Sequence, residues 1–530
     1  MKRTFRPLYL SLAMAFALAS CGSQKMISTP VENIDNLPLK TTPIAENDLK
    51  RWSHLDLVND TIPGMSVDKA YKELLKGKKG KKVIVGIVDS GVDINHEDLK
   101  AVVWTNPKEI AGNGIDDDKN GYIDDIHGWN FLGNAVHEQL EMTRIVKKGP
   151  GTPDYDKAKA ELEEELKGIQ PQKQQLDYIL NAEKALVGYF KKSDFTLEEV
   201  KAIPATETSL SQAKAVFTQV LSQSSKADFD KQIEEFKDYI YGQVNYNLNV
   251  DFDGRKIVGD NPDDLKDTKY GNNNVVGPEP KEAKHGTHVA GIVAQVRSNN
   301  KGGDGVTNNA QIMTLRAVPN GDEYDKDIAL AIRYAVDNGA KVINGSFGKY
   351  YSQHKEWVMD AIKYAESKDV LVVIAAGNES YDLDVTNKYP NDTYDGSPEF
   401  AKNVLIIGAL SPTYGSKMVA SFSNYGKNNV DIYAPGDKIY ATTPLNTYEY
   451  LQGTSMASPN VAGVATLIRS YYPSLTAVQV KQIIMESGTP LKNQVIIGED
   501  KHKANFADAS KSGRIVNAYN ALVLAAKMAK

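Results

Sequence analysis

Five runs of consecutive apolar or small residues constrain the fold of this chain more than any other feature. The runs occupy residues 83–88, 310–318, 340–348, 369–378 and 403–410. Strands buried on both faces of a parallel sheet have such runs, whereas strands with one face in water alternate apolar and polar residues. Helical patterns over 327–338 and 357–367 separate some of the runs. This alternation predicts an α/β fold with a mainly parallel β-sheet flanked by helices.

The region from about residue 137 to 250 does not alternate strands and helices, and its sequence pattern is helical throughout. Its clearest amphipathic face consists of Phe229, Ile233, Phe236 and Ile240. Glycine and proline at Gly168, Pro171 and Pro204 are expected to separate its helices. The heptads do not persist, which argues against a coiled coil. We therefore predict a helical insertion over 137–250.

The first twenty residues have the pattern of an export signal. Basic residues precede an apolar run from Leu8 to Ala19, which is too short to span a bilayer comfortably. The small residues before Cys21 resemble the lipobox of bacterial lipoproteins, although an ordinary signal peptide cut elsewhere is the alternative. We expect a lipoprotein signal peptide over 1–20, with the protein anchored to the bacterial cell envelope through a lipid on Cys21. Cys21 is the only cysteine, so no disulfide is expected.

Composition and the positions of the prolines indicate the remaining domain limits. Residues 21–75 are largely polar and interrupted by prolines, which predicts a tether or a short pro-segment before a folded domain over 76–530. The chain is 41% hydrophobic and 25% charged, as expected of a globular protein, and its net charge is −6. A net negative charge argues against nucleic acid as the main partner. The sequence does not indicate an oligomeric state.

Candidate reactive side chains follow two of the apolar runs. Asp89 ends the first run and Asn378 ends the fourth, and reactive groups collect at the carboxyl ends of strands in parallel sheets. Taken singly, each is better explained as a turn residue than as a reactive group. His285 and His288 stand three positions apart on one helical face, which suits a metal site, a catalytic base or two packed side chains.

A serine at the start of a later helix is a further candidate. Apolar spacing predicts a helix to about Tyr471, and Pro459 is tolerated only in or near its first turn. The helix should therefore begin close to Ser455. A serine in this position is either an N-cap or a nucleophile that profits from the positive end of the helix dipole.

Taken together, four segments resemble the motifs of the subtilisin-like serine peptidases. They are VIVGIVDSGVDINHEDL (83–99), HGTHVAG (285–291), VVIAAGNE (372–379) and GTSMASPNVAG (453–463). The order of aspartate, histidine and serine is that of subtilisin. GRIVNAYNAL (513–522) is similar to the family's closing helix. The resemblance covers most of residues 76–473 and implies a subtilisin-like fold.

The resemblance assigns roles to the candidate residues. It implies that Ser455 is the nucleophile, His285 the base and Asp89 the group that orients the imidazole, and that Asn378 supplies the oxyanion hole. The segment that would bind the substrate backbone is Ser346, Phe347 and Gly348. It implies a serine endopeptidase acting on proteins or peptides through an acyl-enzyme, with no organic cofactor. Two alternatives are a peptide-binding pseudoprotease and a zinc hydrolase that uses His285 and His288.

The predicted insertion is a departure from a minimal member of that family. It lies within the 196 positions that separate Asp89 from His285. A long surface insertion costs little closure entropy, so it need not disturb the triad. It should lie near the active-site face, where it either controls access and selects substrates or is a solvated structural appendage.

The segment NGIDDDKNGYIDD (113–125) is dense in oxygen ligands. It matches the first part of an EF-hand loop, although position 12 is His127 instead of glutamate. Similar acidic loops in subtilisin relatives bind calcium, and the alternative is a polar turn. The sequence therefore predicts a structural calcium site with ligands from Asp116, Asp118, Asn120, Tyr122 (through its carbonyl) and Asp124.

Overall fold

The computed structural model describes residues 43–529, so the predicted signal peptide and Cys21 lie outside it. The strands are β1 (Val83–Asp89), β2 (Gly128–Asn130), β3 (Ala310–Arg316), β4 (Val342–Gly345), β5 (Leu371–Ala375), β6 (Val404–Leu410), β7 (Ile432–Pro435), β8 (Ile439–Thr443), β9 (Thr447–Leu451), β10 (Thr489–Pro490), β11 (Gln494–Ile497), β12 (His502–Asn505) and β13 (Arg514–Ile515). The helices are α1 (Glu46–Leu49), α2 (Leu57–Asp60), α3 (Val67–Ala70), α4 (Glu141–Lys148), α5 (Tyr155–Phe190), α6 (Leu197–Ala202), α7 (Ser211–Gln223), α8 (Lys226–Gly242), α9 (Arg255–Val258), α10 (Lys284–Ala294), α11 (Asp325–Asp337), α12 (Lys355–Ser367), α13 (Thr454–Tyr471), α14 (Ala477–Ser487) and α15 (Ala518–Met528).

A nine-stranded sheet with the order β10-β13-β7-β6-β5-β4-β1-β3-β2 organises the fold. Only the edge strand β10 is antiparallel to its neighbour within this sheet. The five apolar runs become β1, β3, β4, β5 and β6, and every residue of the last three is buried. Helices pack against the sheet, α13 along β4 to β7 in particular. The predicted α/β class is therefore confirmed.

The helical insertion predicted over 137–250 appears as α4 to α8, with two hydrophobic clusters apart from the main core, one of which it shares with Tyr351. The predicted breaks at Gly168 and Pro171 are wrong, because α5 runs through both for 36 residues. Burial of Ile169 and Leu176 against the neighbouring helices outweighs the hydrogen bond that proline removes. Neither α5 nor any other helix within residues 43–529 is both long and apolar enough to cross a membrane.

The described part of the predicted tether, residues 43–75, is a component of the folded domain. Trp52 is 1% exposed and Met65 fully buried, both within the main hydrophobic core. The Met65 carbonyl accepts a hydrogen bond of 2.7 Å from the backbone N–H of Ala518, which begins α15. The prediction of a tether or pro-segment that ends at residue 75 is therefore wrong for residues 43–75. The apolar residues of the segment 43–75 are scattered among polar ones. Their burial could not be predicted from the segment alone, because it depends on a surface that other parts of the chain form.

Candidate active site

Three neighbouring strands bring the predicted site residues to one edge of the sheet. Asp89 is the last residue of β1, Ser346 follows the end of β4, and Asn378 follows β5 by three residues. The three strands are adjacent and parallel, in the order β5-β4-β1. Their carboxyl ends therefore meet, as expected for the functional edge of an α/β sheet.

His285 is held against Asp89 by the start of α10. Its Nδ1 lies 2.7 Å from Asp89 Oδ1, and the Asp89 side chain is only 2% exposed. A Cβ on Gly286 would lie 2.1 Å from the Gly91 carbonyl oxygen, so only glycine permits this close approach of helix and strand end. With Nδ1 bound to the carboxylate, the His285 Nε2 is left for the cleft.

The electrostatic environment of His285 favours its charged form. Burial lowers the pKa of the imidazole, but the Asp89 carboxylate raises it by more, so the net pKa lies above 6.5. The side chain remains 38% exposed. Asp89 therefore stabilises the imidazolium that forms when His285 takes up a proton.

Ser455 is the second residue of α13, where the sequence predicted the helix to begin. Its Oγ donates to the Ser346 carbonyl oxygen at 3.2 Å. Its own carbonyl accepts from Ser346 Oγ at 2.8 Å, because Pro459 has no N–H to complete the helical bond. Attack on a substrate requires the hydroxyl to exchange its bond to Ser346 for one to His285 Nε2.

Thr454 orients the side chain of Asn378. The Thr454 backbone N–H and hydroxyl both donate to Asn378 Oδ1, at 2.8 and 3.0 Å. The exposed carboxamide therefore keeps its NH₂ group for a ligand. The first-turn N–H of Ser455 lies beside it, at the positive end of α13. These two donors suit a developing oxyanion. Thr454 lies inside the serine motif, but the sequence analysis assigned it no role.

All of these groups line one cleft of about 720 Å³. The predicted substrate-binding residues Ser346, Phe347 and Gly348 form part of its wall. Helix α8 of the insertion contributes Glu235 and Asp238 to the same wall. The insertion therefore lies at the active-site face, as expected from its place between Asp89 and His285 in the sequence.

His288 takes no part in the cleft. It is completely buried, and its Nε2 lies 3.1 and 3.2 Å from the carbonyl oxygens of Ile439 and Glu449, on β8 and β9. Burial lowers its pKa to about 3, so the ring is neutral and donates to these carbonyls. The spacing of His285 and His288 therefore does not form a two-histidine metal site.

The acidic loop assembles only part of the predicted calcium ligand set. Carboxylate oxygens of Glu109, Asp116 and Asp118 lie within 4.8 Å of one another. One oxygen of Glu109 is buried without a hydrogen-bond partner among the described residues. These three groups fit a hard cation, which prefers carboxylate ligands. Glu109 was not among the predicted ligands, because it precedes the acidic motif of residues 113–125.

Two of the other predicted ligands, Asp124 and Asn120, form hydrogen bonds within the loop. Both oxygens of Asp124 accept from backbone N–H groups of residues 112–114, at 2.8 to 3.2 Å. The amide of Asn120 donates to Asp125 and accepts from the Tyr122 N–H, each at 2.8 Å. Asp124 therefore caps the preceding turn, and Asn120 holds the loop together through its bonds to Tyr122 and Asp125.

Comparison with known sequences decides the family. The sequence profile described as the Subtilase family matches residues 80–508, which is most of the chain. The chain belongs to the Subtilase family. This match includes all four motifs and therefore confirms the resemblance on which their roles were based.

Three named relatives are similar to parts of this subtilase. The thermophilic serine proteinase of Bacillus sp. (strain AK1) is 36% identical over 274 residues, or 51% of this chain and 58% of the relative. Thermitase of Thermoactinomyces vulgaris is 41% identical over 187 residues, covering 35% and 61%. Subtilisin DY of Bacillus licheniformis is 36% identical over 216 residues, covering 41% and 74%. The chain thus spans less than two thirds of the first two relatives.

Proposed function

We propose that the chain is a serine endopeptidase that hydrolyses proteins or peptides through an acyl-enzyme. The observation that carries this proposal is the convergence of four groups on one cleft. His285 is paired with a buried carboxylate, Ser455 lies at a helix N-terminus, and the Asn378 amide is turned outward by Thr454. No organic cofactor is needed for this chemistry.

The proposed reaction follows from these contacts. Ser455 Oγ attacks the carbonyl carbon of the scissile bond as His285 Nε2 accepts its proton, and Asp89 stabilises the imidazolium. The oxyanion accepts hydrogen bonds from Asn378 and the Ser455 N–H. His285 then returns the proton to the departing amine, and water hydrolyses the ester. The substrate backbone pairs with the segment 346–348 as an added strand.

Turnover of casein and of short peptides tests this proposal. We expect cleavage by the wild type and none by Ser455→Ala, because loss of the nucleophile lowers kcat about 10⁶-fold in subtilisin. Binding of peptides without cleavage would instead support a pseudoprotease. Cleavage that survives Ser455→Ala and stops with a zinc chelator would support the metal hydrolase.

We also propose export and lipid anchoring in the cell envelope. The basic, apolar and small residues before Cys21 support this, and Cys21 itself lies outside the described residues. A fatty-acid analogue fed to expressing bacteria should label the wild type and leave Cys21→Ser unlabelled. Equal labelling of the two, or none of the wild type, would refute the anchor.

A structural calcium ion is the third proposal, now with Glu109, Asp116 and Asp118 as its protein ligands. The ion would join carboxylates that otherwise repel one another. EGTA should lower the melting temperature, and added calcium should restore it. Glu109→Gln should weaken this response, whereas Glu164→Gln, an exposed acid on α5, should not. A melting temperature indifferent to both reagents would contradict the site.

A further inference from the structure

A buried lysine, Lys388, lines the cleft that holds Ser455. Its side chain is 3% exposed, and it stands beside the substrate-binding residues Phe347 and Gly348. A buried ammonium is costly unless several acceptors surround it. The acceptors around Lys388 therefore indicate whether it is a structural group or one that awaits a ligand.

The Lys388 ammonium is only partly satisfied by the protein. Its Nζ donates to the Phe347 carbonyl oxygen at 3.0 Å. No ion pair to Lys388 is found within residues 43–529. Burial lowers its pKa to about 8, although Glu323 and Glu379 oppose this effect. The amine is therefore still largely charged at neutral pH and has N–H groups to spare.

Lys349 is also only 3% exposed, and it is an example of a buried lysine whose charge is paired. Its Nζ lies 2.7 Å from Glu141 and 3.1 Å from Asp325, and it donates to the Glu323 carbonyl oxygen at 2.8 Å. These carboxylates raise its pKa despite its burial. Lys388 has no such partners, which sets it apart from a purely structural cation.

Two acids, Glu323 and Glu379, raise the pKa of Lys388 through their charge. Glu379 already accepts several hydrogen bonds, and Glu323 is partly protonated at neutral pH. Glu379 Oε2 accepts from Tyr350 Oη, from Asn424 Nδ2 at 3.1 Å and from the Asn378 N–H at 2.7 Å. Glu323 is buried, which raises its pKa to about 7. Neither forms an ion pair with Lys388 within residues 43–529. Glu323 Oε1 is likewise buried without a hydrogen-bond partner there, so the ammonium keeps N–H groups for a further acceptor.

The position of Lys388 relates it to one substrate residue. A Cβ on Gly348 would lie 2.2 Å from Lys388 Nζ, so glycine makes room for the amine beside the substrate segment. With the scissile carbonyl between Asn378 and Ser455, the side chain of the same residue (P1) would be directed into the part of the cleft that the segments 346–348 and 375–379 line. Lys388 lines that space.

We propose that Lys388 selects substrates with an acidic side chain, Asp or Glu, at P1. The substrate carboxylate would accept the free N–H groups of the ammonium and supply its missing counter-ion. This inference rests on the proposed peptidase function. It adds a specificity that the catalytic groups do not set.

A matched peptide series tests the assignment on the wild-type enzyme, with Glu, Gln, Leu or Lys at P1. We expect kcat/KM for Glu to exceed that for Gln by about tenfold or more, because the Gln amide oxygen still accepts a hydrogen bond from the ammonium but carries no charge to strengthen it. Lys388→Met should bring the ratio of kcat/KM for the Glu peptide to that for the Gln peptide down to about one, whatever its effect on the two values together. The exposed Lys402→Met variant should behave as wild type.

The outcomes separate the two claims. A lysine that only holds the Phe347 carbonyl would, when replaced, lower kcat/KM for the Glu and Gln peptides alike, which would overturn the assignment. Preference of the wild type for Lys, Leu or Gln would do the same, without any variant. A fluorophosphonate carries no P1 side chain, so failure to label Ser455 would refute the peptidase function itself.

Discussion

At the residue scale, three positions of one motif hold three parts of the site together. Thr454 fixes the Asn378 carboxamide, Ser455 carries the nucleophilic hydroxyl, and Pro459 frees the Ser455 carbonyl for Ser346 Oγ. The last link follows from spacing alone, because proline at i+4 removes the amide that would bond residue i. Its partner could not be predicted, since Ser346 lies 109 positions away.

The two histidines of the HGTHVAG motif should respond differently to substitution. His285→Ala is expected to lower kcat about 10⁶-fold with an unchanged melting temperature, because it removes the base from a partly exposed position. His288→Ala should retain turnover but lose about 2 to 4 kcal/mol of unfolding free energy, through a cavity and two unpaired carbonyls. Kinetics and thermal melting of both variants check this. Full inactivation of His288→Ala with unchanged melting would contradict it.

The acid limb of the pH profile reports the raised pKa of His285. Only the neutral imidazole accepts the serine proton, so kcat/KM should rise with pH through a midpoint above 6.5. In Asp89→Asn the attraction is lost while burial remains, so the midpoint should move down and the rate fall about 10⁴-fold. An acid limb that stays in place in Asp89→Asn would show that another group controls it.

At the scale of elements, the insertion is a second wall of the catalytic cleft. Its α8 presents the exposed carboxylates of Glu235 and Asp238 there. The cluster beneath them includes Tyr351, so the insertion also packs on the segment that follows Gly348. The insertion therefore adds two negative charges to the wall of the cleft.

Removal of these two charges should weaken binding of basic substrates. The variant Glu235→Gln with Asp238→Asn is expected to lower kcat/KM about two- to fivefold for peptides rich in lysine outside P1, at low salt. The effect should disappear at high salt. Glu164→Gln on α5 serves as the control. A loss of the same size for uncharged peptides would show that packing, not charge, is responsible.

Local signals explain how much of the fold and site the sequence predicted. Buried parallel strands need continuous apolar runs, so the strand that ends at Asp89 and the strand that precedes Asn378 were recognisable from their own residues. The catalytic motifs are likewise contiguous in sequence. Lys388 and Thr454 gained their roles only through contacts with distant segments. The predicted helix break at Pro171 was wrong for the same reason, because tertiary packing, which the local sequence does not show, stabilises α5.

At the scale of the whole molecule, the segment 43–75 belongs to the same core as the sheet. Trp52, Leu57 and Met65 are each at most 3% exposed in it. Activation by removing this segment would therefore expose core surface. The segment contributes to stability in a way that a flexible tether cannot.

Trp52→Ala should show this contribution directly. We expect a loss of about 3 to 5 kcal/mol in the free energy of unfolding, because a large buried side chain is truncated. Val385→Ala, at an 83% exposed position, should change it by less than about 0.5 kcal/mol. Denaturant unfolding measures both. Equal stability of the two variants would mean that the segment is dispensable.

The central claim is that Asp89, His285 and Ser455 act as one nucleophilic unit, and covalent labelling tests it most directly. A fluorophosphonate should add its mass to a single peptide that contains Ser455, as read by tandem mass spectrometry. Labelling should slow by orders of magnitude in His285→Ala and vanish in Ser455→Ala. Modification at another residue, or equally fast labelling of Ser455 without His285, would contradict the account.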